Sequence, residues 1–376
     1  MKLRYVLAAV LVWATGCSGG QLSAPAVEVT PGECEAIDPV RLQLPWMIQA
    51  RSAGYIAARD LGYYADYCLD VELVEGGPGI SSTQRLAGGK VDFAVARLPS
   101  ALVTRDRGAN LVHVAQIFQR PGTVVVALTD SEITQPYQFI DRRTAAWGDG
   151  HGYEILAAAS AVGLDPSTDL DRLDHTSDID AFGYREYDVA AMSFYHEYAQ
   201  LLERNNPLTT TRFAPSDIHR IDLGELDIRF LEDGLWADGD RLDSDVLYRD
   251  VAVRVIAASL RGWVECRNHP DTCVDLVLDA NSVNGPGHQR WQMTQVNNLI
   301  WPSPHRIGHL ETSEWDHTLD LMMSLVDTSG EPILAAAPSG ATTDAFLHRA
   351  WDLLEGIDLA GNDYVPGEGV ITPGGN

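Results

Sequence analysis

The chain has 376 residues, with 53 acidic side chains against 27 basic ones and a formal charge of −26. Such a surface repels phosphate backbones and anionic headgroups, which argues against nucleic acid or a charged lipid surface as a partner. An apolar fraction of 45% is that of a packed globular protein, and the length fits two domains or one large one.

Lys2 and Arg4 precede an apolar run from Tyr5 to Trp13, followed by Ala14-Thr15-Gly16-Cys17. A basic start, a short apolar stretch and small residues before a cut form a secretory signal. The run is shorter than the roughly 20 apolar residues a spanning helix needs. A cysteine at the cut resembles the lipobox of bacterial lipoproteins. It predicts loss of residues 1–16, acylation of Cys17, and an exported chain lipid-anchored to a bacterial membrane, facing periplasm or cell exterior. Residues 17–37 read as a flexible tether.

A regular alternation follows. Val40–Leu44 alternates as a strand, Ala53–Tyr64 has helical spacing, and Leu69–Val74 is a second strand. Helices over Ile80–Leu86 and Leu98–Arg107 flank a buried strand at Val91–Ala96. Strands follow at Leu111–Ile117 and Thr123–Leu128. Strands separated by short helices predict βαβ units and parallel-rich sheets covered on both faces.

A second series starts near Phe139, with a strand at Thr144–Trp147, a glycine-rich turn Gly148-Asp149-Gly150-His151-Gly152, and a helix over Tyr153–Val162. Asp188–Met192 is the next strand and Glu197–Arg204 the next helix. Another strand-like piece lies beyond Ile221. Helical patterns then cover Asp245–Arg267, Asp271–Asp279, Gly287–Ile300, Ser313–Val326 and Ala341–Leu354. Gly89-Lys90-Val91-Asp92-Phe93-Ala94-Val95-Ala96-Arg97 echoes Arg185-Glu186-Tyr187-Asp188-Val189-Ala190-Ala191-Met192-Ser193: in each, an Asp leads into a short apolar strand with a polar end. Two similar lobes facing one cleft would produce such an echo. Ligands of open α/β sheets lie beyond the carboxyl ends of strands, so residues 97–100 and 193–197 become cleft candidates.

Apart from Cys17, four cysteines remain: Cys34, Cys68, Cys266 and Cys273. An even number in an oxidising compartment predicts two disulfides, in any of three connectivities. Cys266 and Cys273 flank a short turn between helical patterns, where local closure is feasible and would contribute about 2–3 kcal/mol. Cys34 with Cys68 would then staple the N-terminal lead to the first helical region.

Leu44-Pro45-Trp46-Met47-Ile48-Gln49-Ala50-Arg51-Ser52-Ala53-Gly54-Tyr55, then Asp60-Leu61-Gly62-Tyr63-Tyr64 and Leu69-Asp70-Val71, resemble the opening of ABC-importer solute-binding proteins for thiamine pyrimidine precursors, sulfonates and riboflavin. Cys68 stands where that pattern has Gly. Gly76-Gly77-Pro78, Gly89–Phe93, Gln116–Arg120 and Tyr195–Gln200 extend the match. Glu232-Asp233-Gly234, Arg261-Gly262-Trp263 with Cys266, and Ile300–Pro304 are similar to the riboflavin-binding branch.

The resemblance implies an α/β, type II periplasmic-binding-protein fold whose two lobes close on a ligand by hinge bending. Residues 38–127 would form lobe 1 and 128–226 lobe 2. Residues 227–360 would return to lobe 1 with the C-terminal helices, leaving 361–376 as a tail. Crossings between lobes are expected near Val126–Asp130 and Ile221–Phe230.

The implied ligand is a small planar heterocycle, riboflavin first, a thiamine pyrimidine precursor second and a sulfonate third. It would be delivered to permease and ATPase subunits by a monomeric protein without a cofactor. A ligand-sensing lipoprotein docked on a signalling receptor is the alternative. Planar heterocycles call for aromatic faces and a few directional hydrogen bonds. Trp46, Tyr55, Trp147, Tyr153, Tyr195 and Trp236 are the candidate faces, and Gln49, Arg97, Gln119, Glu197 and the Gly77 turn the polar contacts. Arg97 stands where an apolar or aromatic residue is expected, which favours a more polar or anionic ligand group. Trp263, Trp291, Trp315 and Trp351 sit in helical patterns and are assigned to core.

Enzyme motifs are missing: the sequence has no Walker loop, GxSxG or HExxH. His305 and His309 are four apart, but Pro302 and Pro304 oppose a helix that would align them on a metal. Pyrimidine-synthesising relatives of this fold carry a cysteine-rich active segment, and this chain has none.

Overall fold

Among the described residues, ten strands form two five-stranded sheets, each backed by helices. The structure is a computed structural model describing residues 22–25, 32–147, 152–176, 178–280 and 283–376, without the side chains of Trp147 and residues 172–176. The signal, Cys17 and residues 148–151 of the glycine-rich turn lie outside it.

In chain order the first sheet's elements are β1 (Asp38–Gln43), α1 (Ala53–Asp60), α2 (Tyr63–Asp66), β2 (Leu69–Val74), α3 (Ser82–Ala87), β3 (Phe93–Ala96), α4 (Leu98–Asp106) and β4 (Leu111–Gln116). The expected helix over 53–64 breaks at Leu61–Gly62, because Gly62 takes a left-handed conformation (φ 81°). The second sheet's elements are β5 (Thr123–Leu128), β6 (Arg143–Trp147), α5 (Tyr153–Ala161), β7 (Arg172–Thr176), α6 (Ile179–Gly183), β8 (Val189–Ser193), α7 (Glu197–Glu203) and β9 (Ile218–Ile221). Sequence patterning missed β7 and α6: Arg172-Leu173-Asp174-His175-Thr176 has one strongly apolar residue and no clear alternation.

The chain then returns as β10 (Gly234–Asp238) and continues as α8 (Gly239–Ser244), α9 (Val246–Asn268), α10 (Pro270–Asp279), α11 (Pro286–Ile300), α12 (Thr312–Ser324) and α13 (Ala345–Asp352). Helix α9 lies in the core of the first lobe. Its Gly262 meets α1 so closely that an added Cβ would sit 2.0 Å from the Gly54 carbonyl oxygen, and Gly54 in turn faces the Trp263 ring. Trp263 is core, as expected, and packs edge-on to Tyr55.

The strand order is β2-β1-β3-β10-β4 in one sheet and β7-β6-β8-β5-β9 in the other. In each, one strand runs antiparallel: β10 between β3 and β4, and β5 between β8 and β9. These are the strands that enter a lobe from the other one. The sequence echo falls on equivalent strands, β3 beside β1 and β8 beside β6. Asp92 accepts from the Arg41 backbone N–H at 2.8 Å, and Asp188 from that of Arg143 at 3.0 Å.

One crossing differs from expectation. Val126–Asp130 includes the end of β5, so the chain leaves the first sheet earlier, between Gln116 and Thr123. It does so because Thr123–Leu128 finds its partners in β8 and β9. The return runs from Ile221 to Gly234 and contains the expected second crossing. Both disulfides form in the local pairing, Cys34–Cys68 and Cys266–Cys273.

Candidate functional site

The two sheets face each other across the crossings, and a knot of buried polar groups fills that junction. Arg97 caps β3 just before α4, and Glu154 opens α5 on the other lobe. Arg97 Nη2 donates to Glu154 Oε1 at 2.6 Å and to Thr123 Oγ1 at 3.0 Å, with both members of the ion pair about 3% exposed. Glu232, on the return crossing, lies 3.9 Å from Arg97 and accepts from the Gly122 N–H (3.0 Å), the Thr123 hydroxyl (2.8 Å) and the Tyr195 hydroxyl (2.8 Å). One carboxylate thereby ties the outgoing crossing, the return crossing and the second lobe together. Gly122 must be glycine here, since a Cβ would meet Leu299 and Tyr195 at under 3 Å.

Asp233 is bonded by Arg51 from the loop after β1, through Nε at 2.7 Å and through Nη2. Burial holds the Asp233 and Glu154 carboxyls above the ordinary range, against the opposing pull of their arginines. Burying charges is tolerated only where they are paired, and this knot pairs two arginines with three carboxylates. Beside it, His196 Nδ1 and His288 Nε2 lie 2.9 Å apart, and Glu203 accepts from His288 Nδ1 at 2.9 Å. His288 belongs to α11 and the other two to the second lobe, so this chain also spans the junction.

The sequence candidates divide into three groups. Arg97 and Tyr195 meet at the knot, where Arg97 is neutralised by Glu154 and Tyr195 is 1% exposed with Arg51 over its ring. This corrects the reading of Arg97 as a polar contact free to meet a ligand and of Tyr195 as a stacking face presented to the cleft. Trp46 is half-buried beside the Gly76-Gly77 turn, where the Gly76 N–H donates to the Trp46 carbonyl at 3.1 Å. Gln49 is buried and accepts from Gln292 on α11 at 3.0 Å; half-buried Gln119 donates to the Gln116 and His309 carbonyls. Tyr153 is half-buried against Phe230, and Glu197 accepts from the Ser193 N–H at 2.9 Å.

Two aromatic candidates are core instead. Trp236 is fully buried in β10 with its indole N–H donating to the Ala96 carbonyl, and Tyr55 is enclosed beneath α9. Trp147 closes β6, and its side chain lies outside the described part. The residues missed by sequence reasoning are Arg51, Glu154, Glu232 and Asp233. Their signal was charge inside otherwise apolar or glycine-rich segments.

Next to Glu154 a cavity of about 460 Å³ opens where β5, β9 and the return crossing meet. Its floor includes Thr123, Ile221 and Phe230, and its rim Arg220, Asp222 and Asp227. None of the sequence candidates with a described side chain lines it; Arg97 reaches it through Glu154. Among the described residues, no group of three His, Cys, Asp or Glu side chains could hold a metal, and no helix is long and apolar enough to cross a membrane.

Residues 49–273 match the family described as NMT1/THI5 like. The chain belongs to the NMT1/THI5-like family. Among curated members and relatives, a 4-amino-5-hydroxymethyl-2-methylpyrimidine phosphate synthase of Legionella pneumophila is 23% identical over 129 residues, 34% of this chain and 41% of that protein. A formylaminopyrimidine-binding protein of Halalkalibacterium halodurans is 25% identical over 111 residues, 30% of this chain and 34% of that protein. The matches thus span less than half the length of either relative. Among solved structures, the alkanesulfonate-binding protein SsuA of Xanthomonas axonopodis pv. citri superposes with a TM-score of 0.59 over 83% of this chain and 100% of that one, at 14% identity. This NMT1/THI5-like chain therefore has the α/β periplasmic-binding-protein fold of type II that its sequence implied.

Proposed function

We propose that the chain is the solute-capturing component of an ABC importer, exported and anchored through Cys17, which closes its lobes on a small nitrogen heterocycle and passes it to a permease and ATPase. The observation that carries this reading is the convergence of Arg97, Glu154, Glu232 and Tyr195 at the junction. A solute in the adjoining cavity would touch the second lobe and both crossings, so its binding energy would bias how the lobes sit. A non-enzymatic role is supported by the cysteines: all four described ones are in disulfides, so none of these four offers a thiol for a cysteine-dependent synthase chemistry.

For the solute, an aminopyrimidine takes precedence over riboflavin and over a sulfonate. Both curated relatives are named for pyrimidines. Tyr55, Tyr195 and Trp236 are too enclosed to sandwich an isoalloxazine, and the arginines of the knot are already held by carboxylates, which leaves an anion poorly served. Calorimetric titration of the full chain with 4-amino-5-hydroxymethyl-2-methylpyrimidine, riboflavin and an alkanesulfonate tests the reading. Micromolar or tighter pyrimidine binding, with compaction in solution scattering, is expected. Flavin binding without pyrimidine binding would restore the riboflavin assignment, and turnover of the pyrimidine would overturn the transport role.

A further inference from the structure

Residues 366–375 lie in a groove between α11 of the first lobe and α7 of the second. On the α11 side, Gln295 and Asn298 donate to the Glu368 and Gly367 carbonyls at 2.7 Å each, and the Gly367 N–H returns a bond to Asn298 Oδ1 at 3.1 Å. On the other side, Ile371 packs against the second-lobe core that includes Tyr198, Leu201 and Leu202 of α7.

The fit is at backbone contact. An added Cβ at Gly287 of α11 would collide with Thr372 Oγ1, and one at Gly285 would sit 2.5 Å from the Gly375 carbonyl oxygen. Gly369, at a φ of 73°, would bring a Cβ to 2.9 Å from the Trp291 ring. Gly375 abuts Glu203 and His288, whose 2.9 Å bond itself runs from α7 to α11.

Lobes that turn about their crossings move α7 relative to α11, and a third link between them resists that turn. The segment cannot follow both helices, so one set of its contacts must break as the lobes part. Three hydrogen bonds hold it to α11, whereas the second lobe holds it through the apolar Ile371 side chain and the contact at Gly375. The second-lobe contacts are therefore the ones that yield.

We infer that residues 366–375 are a latch on the two lobes. The junction opens only after the segment has left α7, and the latch thereby sets how often the knot of Arg97, Glu154 and Glu232 meets solvent. The inference goes beyond solute capture, and its test needs no solute.

G287A suits α11, since alanine is the better helix former, while its methyl pushes Thr372 out of the groove. Amide exchange of the full chain is read at Gly122 and Leu98. Their N–H groups donate inside the junction, to Glu232 Oε1 at 3.0 Å and to the Leu231 carbonyl at 3.2 Å, and neither residue belongs to the groove. Exchange about tenfold faster at both amides, with α9 unchanged, is expected. Faster exchange confined to α7, α11 and the segment itself overturns the latch and leaves the groove a packing site only. If G287A also loosens α9, G369A takes its place, because its methyl meets the Trp291 ring from the segment's own side, and the same two outcomes decide.

Discussion

The Tyr195 hydroxyl donates to Glu232 Oε2 at 2.8 Å, joining the end of a second-lobe strand to the segment that returns to the first lobe. The partner oxygen, Oε1, is spent on Gly122 and Thr123 of the outgoing crossing. Tyr195 is therefore a structural coupling between lobes before it is anything else. Removing its hydroxyl in Y195F leaves a buried carboxylate oxygen short of a donor. The unfolding free energy should fall by about 2 kcal/mol, and solute affinity should fall with it because closure is less well held. Denaturant melts and calorimetry on the same sample check both. A variant as stable as its parent would show that the bond contributes nothing net.

His113 sits in β4, fully buried, with Trp236 edge-on to its ring. Gln116 donates its amide to the Phe118 and Glu232 carbonyls, so its Oε1 is the acceptor and His113 Nε2 carries the proton between them. Burial lowers the imidazole pKa to about 4, with the Gln116 bond opposing. A folded pKa below the unfolded value of about 6.5 gives stability that is complete above pH 6.5 and is lost as the pH falls toward 4. H113Q should remove about 2–3 kcal/mol of the difference in unfolding free energy between pH 7 and pH 4.5. His196, also depressed by burial and by His288, keeps a residual slope in that variant.

Gly262 and Gly54 allow α9 and α1 to cross at backbone contact. With Gly262 changed to Ala, the new Cβ would lie 2.0 Å from the Gly54 carbonyl oxygen and 3.0 Å from Ala58. Both neighbours are backbone or short side chains, so the helices must part. G262A should cost about 3 kcal/mol despite alanine's better helix propensity, read as a lowered midpoint in urea. An unchanged midpoint would mean that the crossing has slack.

The segment after Val365 is a strap across the junction. Gln295 and Asn298 of α11 donate to the Glu368 and Gly367 carbonyls at 2.7 Å each, Ile371 packs on the second lobe's core, and Gly375 abuts Glu203 and His288. Deleting residues 366–376 should speed amide exchange in α7 and at both ends of α11, with α9 unaffected. Exchange that is uniform across the three helices would refute the strap.

The alternation of strands and helices, the echo of residues 89–97 in 185–193, and the local disulfide at Cys266–Cys273 were all legible in the sequence. Each depends on near neighbours: pattern period, the Asp that opens β3 and β8, and a seven-residue separation. What the chain order alone did not reveal is which strands would run antiparallel. That follows from β5 and β10 being the strands by which the chain enters each lobe from the other one.

The candidate site divides the same way. Sequence determined the fold family and put polar residues at strand ends. Tertiary structure decided their fate, because a side chain's availability depends on partners far along the chain. Arg97 reads as a free cation until Glu154, 57 residues away, neutralises it. Trp236 reads as a stacking face until the Ala96 carbonyl, 140 residues away, takes its N–H and the sheet buries it. Desolvation and pairing are properties of the assembled junction, and no local pattern encodes them.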